Sequence, residues 1–282
     1  MTTDTGRYQA LHSYPLNTLG RDLVVGDVHG CFSMLDAALK EMDFDPTRDR
    51  LFGVGDLVDR GGESPDILDA VRRHQIKAVR GNHEQMILDW AMKGGPEHGR
   101  AHRAYLASPQ AGFDQIATDV AHCQGETSAL IDNGGEWFIE MSCRADGSAK
   151  FKAQRIVDYF ASMPLAIEIE TAHGLMGIVH ADVPVDNWSS LRRALAHGEN
   201  EMCETMLWDR RRWKGRAVSD FIAGVIAVIV GHSPTYDVAQ CGNVIDIDTG
   251  AAYGNKLTIL NLADVPEWLA HGDRTITRNP ER

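Results

Sequence analysis

An α/β fold built from strand–loop–helix units is predicted by three features of the sequence. Short apolar, β-branched runs recur between residues 21 and 80, each ends abruptly in a cluster of Gly, Asp, His and Asn, and apolar residues at three- and four-residue spacing follow. Successive units of this kind call for an open α/β sheet, in which ligands bind beyond the carboxyl ends of the strands. The polar clusters then share one edge of the sheet.

The first unit runs from Leu23-Val24-Val25 into Gly26-Asp27-Val28-His29-Gly30, after which Leu35, Ala38, Leu39 and Met42 carry the helical spacing. The second leads from Leu51–Val54 into Gly55-Asp56-Leu57-Val58-Asp59-Arg60-Gly61. Ser64 and Pro65 then suit the N-cap and first turn of a helix through Ile67, Leu68 and Val71. The third starts at Ile76-Lys77-Ala78-Val79, reaches Gly81-Asn82-His83-Glu84, and resumes helical spacing at Met86, Ile87 and Trp90.

Residues 93–128 break this rhythm with Gly94-Gly95-Pro96, several histidines and a weak helical pattern around Phe113–Val120, which reads as an inserted surface segment. Beyond it the spacing predicts a helix near Ala153–Phe160 and strands at Leu165–Ile169, Leu175–Val179 and Val225–Val230. Strands at Val244–Ile247 and Leu257–Leu260 complete the sheets, and the polar stretch 263–282 reads as a tail. No internal repeat is visible, so a single domain with its core at about 21–262 is expected.

Composition narrows the function classes. With 43% apolar residues, 27 glycines and 24% charged residues in 282, the chain is neither disordered nor collagen-like. Twenty-eight basic against forty acidic side chains leave a net charge of −12, which argues against a nucleic-acid partner held through phosphates. The five cysteines (Cys31, Cys123, Cys143, Cys203, Cys241) are scattered and never spaced Cys-x-x-Cys, so neither a zinc knuckle nor a disulfide framework is expected. Reduced thiols point to the cytoplasm. The opening residues show no basic region followed by an apolar one, and the longest apolar run, Phe221–Val230, is about half a membrane span, so no secretory signal or membrane partner is expected.

Each polar cluster alone is ordinary turn chemistry. Together, Asp27, His29, Asp56, Asn82, His180 and His232 all sit directly after predicted strands and supply enough oxygen and imidazole donors for two divalent metals. Asp27 and His29, at i and i+2 of an extended turn, point to the same side and can grip one ion, while Asp56 can bridge two. Paired ions share a water, lower its pKa toward roughly 7 and clamp a phosphoryl group for in-line attack. Mixed Asp, His and Asn donors suit Mn, Fe or Zn better than calcium.

The ordered set GDVHG, GDLVDRG, GNHE, VHAD around His180 and GHSP around His232 resembles the calcineurin-like metallophosphoesterases, specifically the PPP-type serine/threonine protein phosphatases. The stretches GNHEQM, NGGEWF, PLAIEIE, IVHAD and IDTGAAYG are similar to the compact branch comprising the lambda phage protein phosphatase and its bacterial relatives. The resemblance runs from about Arg21 to Leu260. It implies a β-sandwich of two mixed sheets flanked by helices, with a dimetal site at the carboxyl ends of the strands.

It further implies a first metal on Asp27, His29 and Asp56 and a second on Asp56, Asn82, His180 and His232, with Mn²⁺ expected ahead of Fe or Zn. His83 matches the general acid that protonates the departing serine or threonine oxygen, and Asp59 the carboxylate that orients it. Arg60 and Asn82 match phosphate-binding positions, and Arg210 in Trp208-Asp209-Arg210 occupies the place of a second guanidinium clamp. Arg210 opens a basic run with Arg211, Arg212, Lys214 and Arg216, any of which is able to take that role; otherwise the run is a solvated basic loop. Cys31 directly follows the first motif, where a buried structural thiol is expected.

The implied reaction is hydrolysis of phosphoserine and phosphothreonine in a protein or peptide by in-line attack of a metal-bridging hydroxide. Symmetrical dinucleoside tetraphosphate hydrolases resemble the chain at GDVHGC but lack an aspartate matching Asp59 and carry Asp where Glu84 stands. Small phosphate esters are a further substrate class. A noncatalytic scaffold on the same fold predicts decayed ligand positions, and all six are intact. Nothing in the sequence bears on oligomeric state.

Overall fold

Successive residues of a strand face opposite sides of a sheet, and here both sides are apolar, as expected of strands covered on both faces. On the strand Asp22–Val25, Leu23 and Val25 face one way and Val24 the other; all three are fully buried. Two cores therefore meet on every central strand. The computed structural model describes residues 9–93, 127–144, 147–197, 201–215 and 219–271.

In chain order the elements are β1 (Leu11–Tyr14), β2 (Asp22–Val25), α1 (Phe32–Glu41), β3 (Arg50–Gly53), α2 (Ile67–His74), β4 (Lys77–Ala78), α3 (Asn82–Met92), α4 (Glu136–Ser142) and α5 (Gly147–Ser162). They continue with β5 (Ala166–Thr171), β6 (Gly174–Val179), α6 (Trp188–His197), α7 (Glu201–Trp208), β7 (Ala227–Val230), β8 (Ala239–Cys241), β9 (Val244–Asp246), β10 (Ile259–Asn261) and α8 (Val265–His271). One sheet has four strands in the order β10-β2-β3-β4, the other six in the order β1-β5-β6-β7-β9-β8. Both are mixed: β2 runs parallel to β3 and antiparallel to β10, and β6 runs parallel to β7 and antiparallel to β5.

The sheets pack face to face through Val24, Phe52 and Val54 on one side and Ile167, Ile178, Ile229 and Ile245 on the other. The outer face of the four-stranded sheet is covered by Leu35 and Leu39 of α1, Ile87 of α3 and Ile156 and Phe160 of α5. The six-stranded sheet is covered by Trp188 and Leu191 of α6 and Met206 of α7. No helix among the described residues is long and apolar enough to cross a membrane.

The structure extends the sequence reading in several places. The strand–loop–helix units form the four-stranded half of a two-sheet sandwich rather than one open sheet. Residues ahead of Arg21, expected outside the core, supply β1, which pairs in parallel with β5 some 155 positions away. Ser64 caps no helix: it lies in a 3-10 turn (Ser64–Asp66), and its hydroxyl donates to the Gly61 carbonyl at 2.8 Å. Residues 94–126, nearly all of the expected insertion with its Phe113–Val120 pattern, lie outside the described residues, whereas 127–132 are helical.

The expected tail at 263–282 starts instead as part of the fold. Leu262 and Val265 are buried in the core between the sheets, and Val265–His271 is helix α8; residues 272–282 lie outside the described residues. Val265 has a fully buried side chain that no solvated tail accounts for. Val265→Ala is expected to cost about 1.5–3 kcal/mol as a core truncation, whereas a residue in a solvated tail would cost about 0.5 kcal/mol or less. Equilibrium urea unfolding of parent and variant distinguishes the two.

Candidate metal centre

The donor residues lie in loops that leave the ends of both sheets. Main-chain hydrogen bonds bind the first two loops together: His29 N–H to the Asp56 carbonyl at 2.9 Å, Gly30 N–H to Leu57 at 2.8 Å, and Gly61 N–H back to His29 at 2.9 Å. Across the sandwich, Gly231 N–H donates to the His180 carbonyl at 2.8 Å, which ties the end of β7 to that of β6. Side chains from five loops thereby converge on one buried spot.

Such convergence leaves no room for a Cβ at several positions, two of them against the carboxylates themselves. A side chain at Gly81 would lie 2.1 Å from Asp56 Oδ1, and one at Gly231 would lie 2.0 Å from Asp27 Oδ1. Backbone strain gathers at the same place. Among the described residues, seven non-glycine residues have left-handed backbone, and His29, Asp56, Asp59, Arg60 and His232 are five of them. Each costs about 1–3 kcal/mol, which the surrounding packing and hydrogen bonds must offset.

Three imidazoles are each held by a main-chain carbonyl. His29 Nδ1 lies 2.9 Å from the Val58 oxygen, His180 Nδ1 lies 2.8 Å from Val54, and His232 Nε2 lies 3.2 Å from Trp208. A carbonyl only accepts, so each of these nitrogens carries the proton, and the opposite nitrogen presents a lone pair in the neutral ring. His180 Nε2 then faces Asn82 Oδ1 at 2.9 Å and Asp56 Oδ1 at 3.4 Å, and His29 Nε2 faces Asp56 Oδ2 at 3.7 Å. The Arg60 guanidinium also donates to His29 Nε2.

Ligating atoms of His29, Asp56 and His83 fall within 4.8 Å of one another, as do those of Asp56, His180 and His232. Asp56 belongs to both groups. The donor set fits two divalent cations, because its carboxylate, amide-oxygen and imidazole acceptors face one another and need positive charge between them. Asp27 stands beside this arrangement rather than in either group: its carboxylate accepts the His232 N–H at 3.0 and 3.3 Å.

The electrostatics carry the same signature. Burial opposes charge on Asp56, but His180, His83 and His29 outweigh it and hold the carboxyl well below the usual range. Asp27 is pushed well up by burial and by the neighbouring Asp248, Asp56 and Asp246. Burial lowers His29 to about 3; burial, His180 and Arg210 lower His232 to about 2. Burial raises Asp248 to about 6, whereas at His180 burial is outweighed by Asp56, which raises the imidazole, so the spot gathers carboxylates and imidazoles shifted in opposite directions.

His83 differs from the other imidazoles. Its Nδ1 meets a carboxylate, Asp59 Oδ2, at 2.8 Å, and its buried Nε2 has no hydrogen-bond partner and lies 3.8 Å from Asp56 Oδ2. The other Asp59 oxygen accepts the Trp137 indole N–H at 2.8 Å. Arg60 projects from the same turn with its guanidinium carbon 5.4 Å from the centre of the exposed Tyr253 ring.

The basic run separates into distinct roles. Arg210 is exposed, and its charge bears on His232 and Asp246. Arg211 pairs with Asp209. Arg212, expected on a solvated loop, is buried at 2% exposure, bonded through Nε to Asp182 at 2.8 Å and through Nη1 to the Ser219 carbonyl at 2.6 Å. Arg216 lies outside the described residues. Cys31 is half-buried, and its thiol donates to the His29 carbonyl.

Residue-type spacing did not single out Trp137, Asp182, Asp246 or Asp248. Asp248, directly after the expected strand Val244–Ile247, was a legible signal of the kind that marked Asp27, and Trp137 lies in the NGGEWF stretch, which carried the resemblance but assigned the residue no role. Glu84 also takes on a new meaning. Its carboxylate accepts N–H groups from Asp56 at 2.9 Å, Leu57 at 2.8 Å and Gly81 at 2.8 Å, latching the Asp56 turn to the start of α3.

The calcineurin-like phosphoesterase family model matches residues 21–257. Serine/threonine-protein phosphatase 1 of Salmonella typhimurium is 32% identical over 239 residues, covering 85% of this chain and 90% of its own. The symmetrical bis(5'-nucleosyl)-tetraphosphatase of Neisseria meningitidis is 25% identical, covering 84% and 91%. A solved structure of a cold-active protein tyrosine phosphatase mutant superposes with a TM-score of 0.51 at 15% identity, covering 93% of this chain and 80% of the other, a likeness of fold.

Glu84→Gln keeps the shape of the latch but turns one acceptor into an NH₂ facing a donor. The variant is expected to lose about 1–3 kcal/mol of stability and to hold divalent metal about 10- to 100-fold more weakly. Urea unfolding and metal content per chain after dialysis check both effects. Unchanged values would remove Glu84 from the support of the site.

Proposed function

The chain belongs to the calcineurin-like phosphoesterase family, and on that footing we propose that it is a metal-dependent phosphomonoesterase that removes phosphate from phosphoserine and phosphothreonine in proteins. The observation that carries this reading is the buried Asp59–His83 pair, 2.8 Å apart, with His83 Nε2 free toward the donor cluster. A serine or threonine alkoxide is far more basic than a nucleoside phosphate leaving group, so phosphomonoester hydrolysis has the greater need of a proton donor. The tetraphosphatase reading leaves that pair without a task.

In the proposed mechanism Asp27, His29 and Asp56 would hold one divalent ion, with Asp27 reached from its place beside the cluster, and Asp56, Asn82, His180 and His232 would hold the other. Bound ions supply Lewis acidity and an acidified water at neutral pH. Arg60 and Arg210 offer guanidinium groups to the phosphoryl oxygens, where bidentate contacts stabilise charge that grows in the transition state. Asn82, whose Oδ1 lies 2.9 Å from His180 Nε2, would offer its amide N–H groups to the same oxygens. His83 gives its Nε2 proton to the departing oxygen, while Asp59 keeps the ring oriented through Nδ1.

Mn²⁺ is the metal we propose, with Fe or Zn as the other candidates, because mixed nitrogen and oxygen donors without thiolate suit these ions. Half-buried thiols at Cys31, Cys203 and Cys241, outside any disulfide, support a reducing, cytoplasmic setting.

Protein stripped with chelator and restored with Mn²⁺ is expected to show higher kcat/KM on a phosphothreonine peptide than on diadenosine tetraphosphate. The reverse preference would overturn the protein-phosphatase reading while leaving the metal centre standing. Separately, His83→Ala is expected to slow hydrolysis of a phosphoserine peptide by about 10²–10⁴-fold and that of an aryl phosphate, whose phenolate leaves with less protonic help, far less. Equal losses on both substrates would sink the acid assignment.

A further inference from the structure

Asp59 sits in a turn with no helical or strand geometry of its own, in left-handed backbone at φ 71° and with its side chain wholly buried. A carboxylate bonded through one oxygen keeps a soft torsion about its last bond, because aspartate χ2 has broad, roughly two-fold wells. Any swing of the carboxylate carries the His83 ring with it through the 2.8 Å contact at Nδ1. Aim at the reacting oxygen therefore depends on what holds the second carboxylate oxygen.

That oxygen, Oδ1, is held by the Trp137 indole N–H at 2.8 Å. Trp137 lies on the first turn of α4, its ring half-buried and edge-on to Phe138 at 5.5 Å, so it is itself well anchored. The residues before it press on the same turn: Gly134, at φ 86°, offers its carbonyl to Arg60 N–H, and a Cβ there would lie 2.6 Å from the Arg60 nitrogen. One short segment, Gly134–Trp137, thus supports both Asp59 and Arg60. An indole nitrogen only donates, which matches an ionised carboxylate.

Resting on the phosphomonoesterase reading above, we propose that Trp137 is a positioning residue for leaving-group protonation: its indole N–H locks the Asp59 carboxylate plane and thereby aims His83 Nε2 at the departing oxygen. Trp137 touches neither substrate nor metal ligand in this role. Loss of the N–H frees Asp59 to rotate and leaves a buried carboxylate oxygen unsatisfied, while the donor cluster around Asp56 keeps all its contacts. The effect falls on steps that need the proton and spares those that do not.

The test uses the Mn²⁺-loaded enzyme and two variants, Trp137→Phe and replacement of Trp137 by benzothienylalanine, which keeps the ring shape but carries sulfur in place of N–H. The second variant preserves packing if phenylalanine does not. Expected for the variants is a fall in kcat on a phosphoserine peptide of about 10- to 100-fold, with KM, metal content and kcat on p-nitrophenyl phosphate each within about threefold of the parent. Equal loss of kcat on the two substrates, a loss confined to KM, or unchanged peptide turnover would each overturn the proposal. A parent enzyme inactive on the phosphopeptide yet active on diadenosine tetraphosphate would overturn the functional reading on which it rests, an outcome distinct from an active parent with unaltered variants.

Discussion

At the seam between the two sheets, the Asp56 carboxylate is 2% exposed. Burying an ionised carboxylate costs several kcal/mol unless charge or donors surround it, so everything near Asp56 is arranged around that demand. Its Oδ1 accepts the His83 main-chain N–H at 3.0 Å, and ring nitrogens of His29, His180 and His83 face its oxygens, where protons or cations between them would supply the balancing charge. Those rings cannot rotate away, because main-chain carbonyls of Val58 and Val54 and the Asp59 carboxylate hold their far sides. A single buried anion thereby specifies the orientation of three imidazoles.

Meeting this demand requires close approach and uncommon backbone. Residues on loops from both sheets reach one point only where Gly81 and Gly231 lack a side chain and where His29, Asp56 and His232 accept left-handed backbone. The strain is offset by features with no chemical role of their own. Glu84 satisfies three N–H groups at the turn, and the apolar seam of Val24, Phe52, Ile178 and Ile229 keeps both sheet ends in register. Stability is spent where the donors converge, and the core on either side supplies it.

Positive charge is distributed by the same logic. Arg212 is consumed by a buried pair with Asp182, two residues beyond His180, and so fixes the loop from which Arg210 projects. Arg60 stands opposite, on the turn braced by Gly134. Both Arg60 and the Asp59–His83 pair adjoin the cluster directly: the Arg60 guanidinium donates to His29 Nε2, and His83 shares a ligand group with His29 and Asp56.

The candidate site residues were legible because each is local to its strand end: Asp27 and His29, Asp56 and Asp59, Asn82 and His83 are short motifs that a run of β-branched residues introduces. Strand patterning at Leu23–Val25, Leu51–Phe52 and Ala227–Val230 was equally local; both faces are apolar, and only the count of covering layers was open. Local residue order therefore set the inventory of candidate donors and their place at strand ends. Tertiary structure decided which distant residue supports each donor, since Trp137 reaches Asp59 across 78 positions, β1 pairs with β5 across 155, and Arg212 finds Asp182 thirty residues away. Such contacts follow from how two sheets and their helices pack, and packing is set by the sum of many apolar burials rather than by any local residue pattern.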